Sequence, residues 1–426
     1  MNFELMHPAD QLVEMMNRIY RYGMTTTSGG NLSIRDENGD IWITPSGVDK
    51  GSLTRDDIMQ VKPDGSYIGK HKPSIELPFH RDIYGARPDI FGVVHAHPPV
   101  MVGFSVIRRE PETRILPDAW RICGKVAQVP YDVAGSLELD ENINACFKAG
   151  YNTVLMANHG VVCGAKNLME AFKMFETVTL TGEAELNAMR LGGAQAMTDA
   201  QLEAAACETP LPEAAEALPV SEAEQEKRLQ LCAFARRCYD RKLLSTIQGC
   251  ISMRFEDGIL ITPAGKDHMN LKPEEIVRVK RGCCESGKLP GEAASLHLKI
   301  YDAQPGVNAI IITHAPAIMG FAVAGKAFES ETMSEAYVIL GEVVHAQCEN
   351  GALDVDKIAS LFGYRKNIVQ LDNRFAIITG ESLFKAFDRS EVLEYGAASV
   401  IAAYGLGRPI ALSEAEIRHT NKELGL

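Results

Sequence analysis

Three histidines stand out for the chemistry their types and spacing allow. His95 and His97 close the run Phe91-Gly-Val-Val-His-Ala-His-Pro-Pro. The run is apolar and β-branched, and it reads as a buried strand stopped by its prolines. Side chains on a strand repeat every two residues, so both imidazoles project from one face. Such a pair suits a divalent metal such as zinc, which takes nitrogen ligands at about 2.0–2.1 Å. A third ligand is offered by Val154-Leu-Met-Ala-Asn-His159-Gly-Val-Val, where a histidine again sits between two apolar runs.

The chain that positions them has 426 residues, which suits two domains of roughly 200 residues each. It is 46% hydrophobic and 23% charged, the balance of a soluble globular protein. Its net charge is −13 and it has no block of lysine or arginine, so a nucleic-acid partner is not expected. A small anionic substrate stays open, because local charge decides that. The first residues lack the basic-then-apolar pattern of a signal peptide, and no run approaches 18 apolar residues, so no membrane partner is expected. Ten scattered cysteines, several in apolar segments, read as reduced core residues of a cytoplasmic protein. The adjacent pair Cys283-Cys284 lacks the spacing of a zinc site.

The chain repeats itself. Ser28-Gly-Gly-Asn-Leu-Ser-Ile-Arg35 is echoed by Ile247-Gln-Gly-Cys-Ile-Ser-Met-Arg254, and Ile41-Trp-Ile-Thr-Pro-Ser-Gly47 by Ile259-Leu-Ile-Thr-Pro-Ala-Gly265. Asp57-Ile-Met-Gln-Val-Lys62 matches Glu275-Ile-Val-Arg-Val-Lys280, and His80-Arg-Asp-Ile-Tyr84 matches His297-Leu-Lys-Ile-Tyr301. The order is kept at an offset near 217 residues, the separation of His80 from His297, far too long for a solenoid. Two copies of one domain follow, 1–195 and 223–426, joined at 196–222 by an acidic Ala/Pro-rich linker with a short helix. Each copy opens with an amphipathic helix (Leu12 to Tyr20; Leu229 to Tyr239) and closes with a long one (Leu168 to Met189; Leu383 to Ala403). Short strands with Gly and Pro turns lie between them, and a helix carries Glu76 and His80. That order suggests a sheet covered by helices.

The second copy serves as a control on the first. His95 aligns with Ile312, His97 with His314, His159 with Phe375, Glu76 with Ala293 and Tyr131 with Cys348. Framework residues persist while the candidate chemical residues change together, so the first copy is the active one. His80 and His297 are shared, which gives them a structural role.

The first copy resembles the class II aldolase/adducin family, which includes fuculose and rhamnulose phosphate aldolases. The resemblance rests on Ser-Gly-Gly-Asn31, Thr-Pro-Ser-Gly47, Pro-Ser-Ile-Glu76, His95-Ala-His97 and Asn158-His159-Gly160. It extends from about residue 8 to 195, and the second copy shares only its framework. The resemblance implies an α/β fold in three layers, α/β/α, with a largely antiparallel central sheet, present here as two tandem copies. It implies zinc, or another divalent metal, held by His95, His97 and His159. Glu76 stands in the place of the family's acid/base, for which a pKa raised by partial burial beside Ile75 and Leu77 is expected. Tyr131, in Val-Pro-Tyr-Asp-Val-Ala-Gly-Ser136, matches a tyrosine proton donor of some members. Gly29, Gly30, Asn31, Ser46, Gly47 and Ser74 match residues that cradle a substrate phosphate.

One residue departs from the pattern. Family sugar-phosphate aldolases place two serines before the glutamate, and here they are Ser74 and Ile75. A hydrocarbon cannot donate to phosphate, and Lys72 is a candidate to compensate. The reading is therefore a zinc-dependent lyase, an aldolase that cleaves a ketose or its 1-phosphate to dihydroxyacetone (phosphate) and an aldehyde. The alternatives are a metal-dependent decarboxylase of a keto or hydroxy acid, and a non-catalytic adducin-like scaffold. The duplication further predicts a homo-oligomer, two chains building a four-domain ring with two active sites.

Overall fold

The computed structural model describes residues 3–206 and 219–426. They form two compact units, Met1–Thr113 with Ala119–Gly182, and Arg114–Asp118 with Glu183–Leu426. The linker region holds a short helix at Asp199–Ala206, and residues 207–218 of it lie outside the described residues.

Eight strands of the first copy form one sheet: β1 (Asn31–Arg35), β2 (Ile41–Ile43), β3 (Met59–Val61), β4 (Tyr67–Ile68), β5 (Gly92–Ala96), β6 (Ala127–Val129), β7 (Thr153–Met156) and β8 (Val161–Ala165). Their spatial order is β4-β3-β2-β1-β5-β8-β7-β6. Every pairing is antiparallel except β6 with β7, as the largely antiparallel expectation has it. The central strand β5 is buried along its whole length, which explains its unbroken apolar run.

Alternation along β5 builds the layers. Val94 and Ala96 face a core formed with Leu12, Met16 and Ile19 of helix α1 (Pro8–Arg21) and with Phe172 and Phe175. Val93 faces the opposite core, which contains Phe79 and Ile83 of α2 (Leu77–Ala86). Phe172 and Phe175 belong to the long closing helix, Leu168–Arg190. The result is a sheet between two helical layers. Glu76 is the N-cap of α2 rather than one of its turns, with Pro78 in the first turn, where its missing N–H costs nothing.

The second copy repeats this sheet with strands β9 (Cys250–Phe255), β10 (Gly258–Ile261), β11 (Val277–Lys280), β12 (Cys283–Cys284), β13 (Ala309–Thr313), β14 (Val343–Ala346), β15 (Ile368–Leu371) and β16 (Ala376–Gly380). The order is β12-β11-β10-β9-β13-β16-β15-β14, the same permutation. The opening and closing helices are Glu222–Asp240 and Leu383–Leu406.

Candidate metal centre

β5 and the β7–β8 hairpin bring the three histidines together. His95 lies on β5 opposite Asn31 of β1 and Val162 of β8. His97 follows the last residue of the strand. His159 stands in the hairpin turn, where Asn158 takes a positive φ of 56° and His159 N–H donates to the Met156 carbonyl at 3.1 Å. Asparagine tolerates that conformation better than other side chains.

The ring centroids are 4.8, 5.0 and 4.9 Å apart, and the ligand nitrogens all lie within 4.8 Å of one another. His95 Nδ1 donates to the Val161 carbonyl at 3.0 Å, which turns its Nε2 toward the cluster. His97 Nε2 is 3.1 Å from His95 Nε2. Burial first, and then the neighbouring rings, push His97 down to about 3 and His159 down to about 4. Imidazole nitrogens that converge on one point are the donor set a divalent ion takes. One buried oxygen beside them, Glu76 Oε1, accepts no hydrogen bond within the protein. The residues fit a metal.

Glu76 is 5% exposed and its carboxylate makes no capping hydrogen bond to the helix it begins. Oε2 is 3.3 Å from His95 Nε2, Oε1 is 3.5 Å from His159 Nε2, and Asn31 Nδ2 donates to Oε2 at 2.6 Å. Burial works to raise its pKa, but His95, His159 and the Asn31 amide outweigh it and hold it well below the usual carboxylate range. This corrects the raised value expected from sequence. Ile75 is 63% exposed and contributes no apolar cover, while the polar neighbours stabilise the charge.

Behind Asn31 runs a buried chain of hydrogen bonds. Asn31 Oδ1 accepts from His80 Nε2 at 2.5 Å, so His80 Nδ1 is the acceptor for Ser33 Oγ at 2.6 Å. Ser33 Oγ in turn takes the hydroxyl of Tyr84 at 2.7 Å. Every donor in the chain points toward Glu76. Burial lowers His80 to about 3, so the imidazole is neutral, as this tautomer requires. Phe79 stacks on His80 at 4.4 Å and meets His95 edge-on at 5.9 Å, contacts worth about 0.5–1.5 kcal/mol each.

The other sequence-designated residues divide. Ser74 Oγ accepts from the Glu76 N–H at 3.3 Å and shapes that turn. Gly29 and Gly30 pack behind the metal strand: a Cβ on Gly29 would fall 2.7 Å from His97 Nδ1, and one on Gly30 2.6 Å from the His95 carbonyl. Gly30 also has a φ of +72°. Ser46 is half-buried and Gly47 exposed on the neighbouring turn. Tyr131 is 57% exposed on its loop, and no hydrogen bond ties it to the cluster. Lys72 is exposed and lends the turn only its carbonyl, which accepts from Ser46 N–H at 3.0 Å. Sequence reading missed Lys50, whose ammonium is buried beside that turn. The repeat carried the signal, because His268 takes the equivalent place after the second Thr-Pro-x-Gly.

Among the described residues a second group of possible ligands lies in the second unit, Asp118, Glu292 and His314. There Glu292 already pairs with His314 at 2.9 Å, and the charge of Arg374 acts on both. It is an ion-pair network rather than a set of free lone pairs. No helix of the described residues is long and apolar enough to cross a membrane.

Comparison with known proteins bears on the family of the chain. The Class II Aldolase and Adducin N-terminal domain family matches residues 10–186 and again 229–401. The L-fuculose phosphate aldolase of Methanococcus maripaludis is 36% identical over 177 residues, 42% of this chain and 94% of that protein. The 3-oxo-tetronate 4-phosphate decarboxylase of Pectobacterium atrosepticum is 30% identical over 177 residues, 41% of this chain and 81% of that protein. A solved L-fuculose 1-phosphate aldolase is 30% identical, with a TM-score of 0.43 over 46% of this chain and 92% of its own. The two curated relatives support an aldolase-family lyase. Matched in both halves, the chain belongs to the class II aldolase and adducin family as a tandem duplication.

Proposed function

We propose that the first copy is a zinc-dependent aldolase that cleaves a ketose or ketose 1-phosphate to dihydroxyacetone (phosphate) and an aldehyde. The observation that carries this reading is the ionised Glu76 held within 3.5 Å of histidine nitrogens that converge on one point. His95, His97 and His159 would hold the ion. When bound, a divalent metal supplies Lewis-acid stabilisation of the negative charge that develops on the substrate as its carbon–carbon bond breaks. Glu76 takes the proton of the hydroxyl on the departing aldehyde carbon and then returns it to the carbon left behind. Asn31 keeps the carboxylate ionised and aimed for the first transfer. Tyr131, on a loop whose Gly135 approaches the Ile75 carbonyl, is assigned to donate a hydrogen bond to the oxygen of the departing aldehyde, with no net transfer of its own proton.

The test is turnover of a panel of free and phosphorylated ketoses, read by aldehyde release. Glu76→Gln should lower kcat by about 10²–10⁴-fold with metal content unchanged; wild-type turnover by this variant would remove the assignment. The decarboxylase reading is favoured by Ile75, which cannot donate to a phosphate as a serine would, and carbon dioxide release from keto acids distinguishes it. A chain that purifies with no divalent metal and turns over nothing would leave the scaffold reading. No disulfide joins the nine described cysteines, which supports a reducing, cytoplasmic setting. The proposed assembly is a pair of chains forming a ring of four family domains. A fully active monomer in light scattering would rule it out.

A further inference from the structure

Lys50 is 3% exposed, and among the described residues no carboxylate lies within ion-pair distance of its ammonium. Its backbone N–H donates to the Thr27 carbonyl at 2.9 Å, and its Nζ to the Pro45 carbonyl at 2.5 Å. It therefore ties together two turns, the one leading into Gly29-Gly30-Asn31 and the one carrying Ser46-Gly47. An ammonium has three donors, and one is used here. Burying a cation without an ion-pair partner is costly, so a fold retains one where something offsets the cost. Burial lowers Lys50 to about 8 and Glu76 draws it back up, which leaves it protonated at neutral pH.

The surroundings indicate what provides the offset. A Cβ at Gly47 would meet nothing within 4 Å, so the turn whose Pro45 carbonyl holds the Lys50 ammonium has open space at Gly47. Ile75, the residue before Glu76, is exposed and offers no side-chain donor. In the second copy the turn is Pro263-Ala264-Gly265, and the residue at the place of Lys50 is His268. Its N–H donates to the Thr246 carbonyl at 3.1 Å, matching the backbone contact, but its Nδ1 goes to the Ser245 carbonyl at 2.8 Å. The copy without the histidine cluster thus keeps the backbone link and loses the ammonium.

We propose that Lys50 is a specificity-determining residue, whose positive charge selects a substrate with an anionic group seated against the Ser46–Gly47 turn. The inference rests on the aldolase reading of the same site and narrows its substrate to the anionic members of the panel. The group is a phosphate or a carboxylate, and the test distinguishes them.

Inorganic phosphate and acetate are titrated separately by calorimetry into the metal-loaded full chain, as wild type, Lys50→Met and Lys50→Arg. Saturable binding of one anion is expected in the wild type, at least tenfold weaker in Lys50→Met and within about threefold in Lys50→Arg. Whichever anion shows that dependence names the source. In turnover, Lys50→Met should raise KM for the anionic ketose more than it lowers kcat. Methionine fills the same space without a buried charge, and Lys50→Gln provides the second comparison if it does not fold. Equal binding by wild type and Lys50→Met, or no binding of either anion by wild type, overturns the proposal. Turnover of neutral ketoses would then still support the aldolase reading, so the two fail separately.

Discussion

β5 and β13 hold the same place in two sheets of the same order. His95 is paired with Asn31 on one side and Val162 on the other; Ile312 is paired with Cys250 and Ile377. Backbone register is therefore constant while the side chains differ. The hydrogen-bond chain makes the same point. In the second copy Tyr301, Ser252 and His297 are joined at 2.8 and 2.7 Å, as Tyr84, Ser33 and His80 are in the first. His297 Nε2 then meets Cys250 Sγ at 3.3 Å, and that thiol reaches the Glu292 carbonyl rather than a carboxylate. The shared histidine supports both folds. It reaches a reactive group only where asparagine passes the hydrogen bond on.

The sharpest way to break this comparison is to give the first copy a residue of the second. His159→Phe installs the residue found at Phe375, whose ring is buried against His314 at 5.9 Å. The side chain of His159 is 18% exposed, and an aromatic ring replaces an aromatic ring there. Removing one of three ligands should reduce retained metal to background after dialysis and abolish turnover, with a small change in melting temperature. Metal retained at one ion per chain would show that the histidine triad is not the binding site.

The same residues show what the sequence could and could not carry. His-x-His on a β-branched run, the twofold repetition and the amphipathic opening and closing helices are local patterns, and the helices Pro8–Arg21 and Leu383–Leu406 appear where periodicity puts them. The direction of the Glu76 shift was not legible, because it depends on Asn31, 45 residues away, and on rings brought in by two other strands. Glu292 was hidden by a shift of one residue. Ala293 sits at the aligned place in a left-handed conformation, while its neighbour turns inward to His314. Lys50 looked like one more loop lysine, since burial is a property of the fold.

A smaller effect is expected from cutting the chain behind Glu76. Asn31→Cys copies the second sheet and removes the amide that donates to Oε2. If Asn31 chiefly aims Glu76, kcat should fall by about 10–100-fold with KM and metal content nearly unchanged. If it chiefly holds the substrate anion, KM should rise instead. Tyr84→Phe, three links away, should cost only a few-fold in kcat. Equal effects of the two variants would mean that the chain acts through folding rather than orientation.

The smallest effect concerns stability, and it reverses the comparison, because here the second copy has the titratable group. The closing helices align through Leu168, Ala171-Phe172 and Glu176 with Leu383, Ala386-Phe387 and Glu391, which places Glu394 where the first copy has Thr179. Glu394 is buried, and its oxygens accept from the N–H groups of Ala317 and Ile318 at 2.8 and 2.9 Å, at the start of the helix Pro316–Ala324. Burial pushes it up to about 7, against the pull of those two N–H groups. A carboxyl whose folded pKa exceeds its unfolded one keeps its proton longer when folded. Stability is then highest below the unfolded value, near 4.5, and falls as pH rises to about 7, by about 3 kcal/mol for this shift. Thr179 hydrogen-bonds the Phe175 carbonyl at 2.7 Å and has nothing to titrate in that range. Urea unfolding of wild type and Glu394→Gln at pH 5 and pH 8 isolates the contribution of this one group. The variant should lose less stability between the two pH values than the wild type, and identical pH dependence would show that Glu394 is ionised throughout.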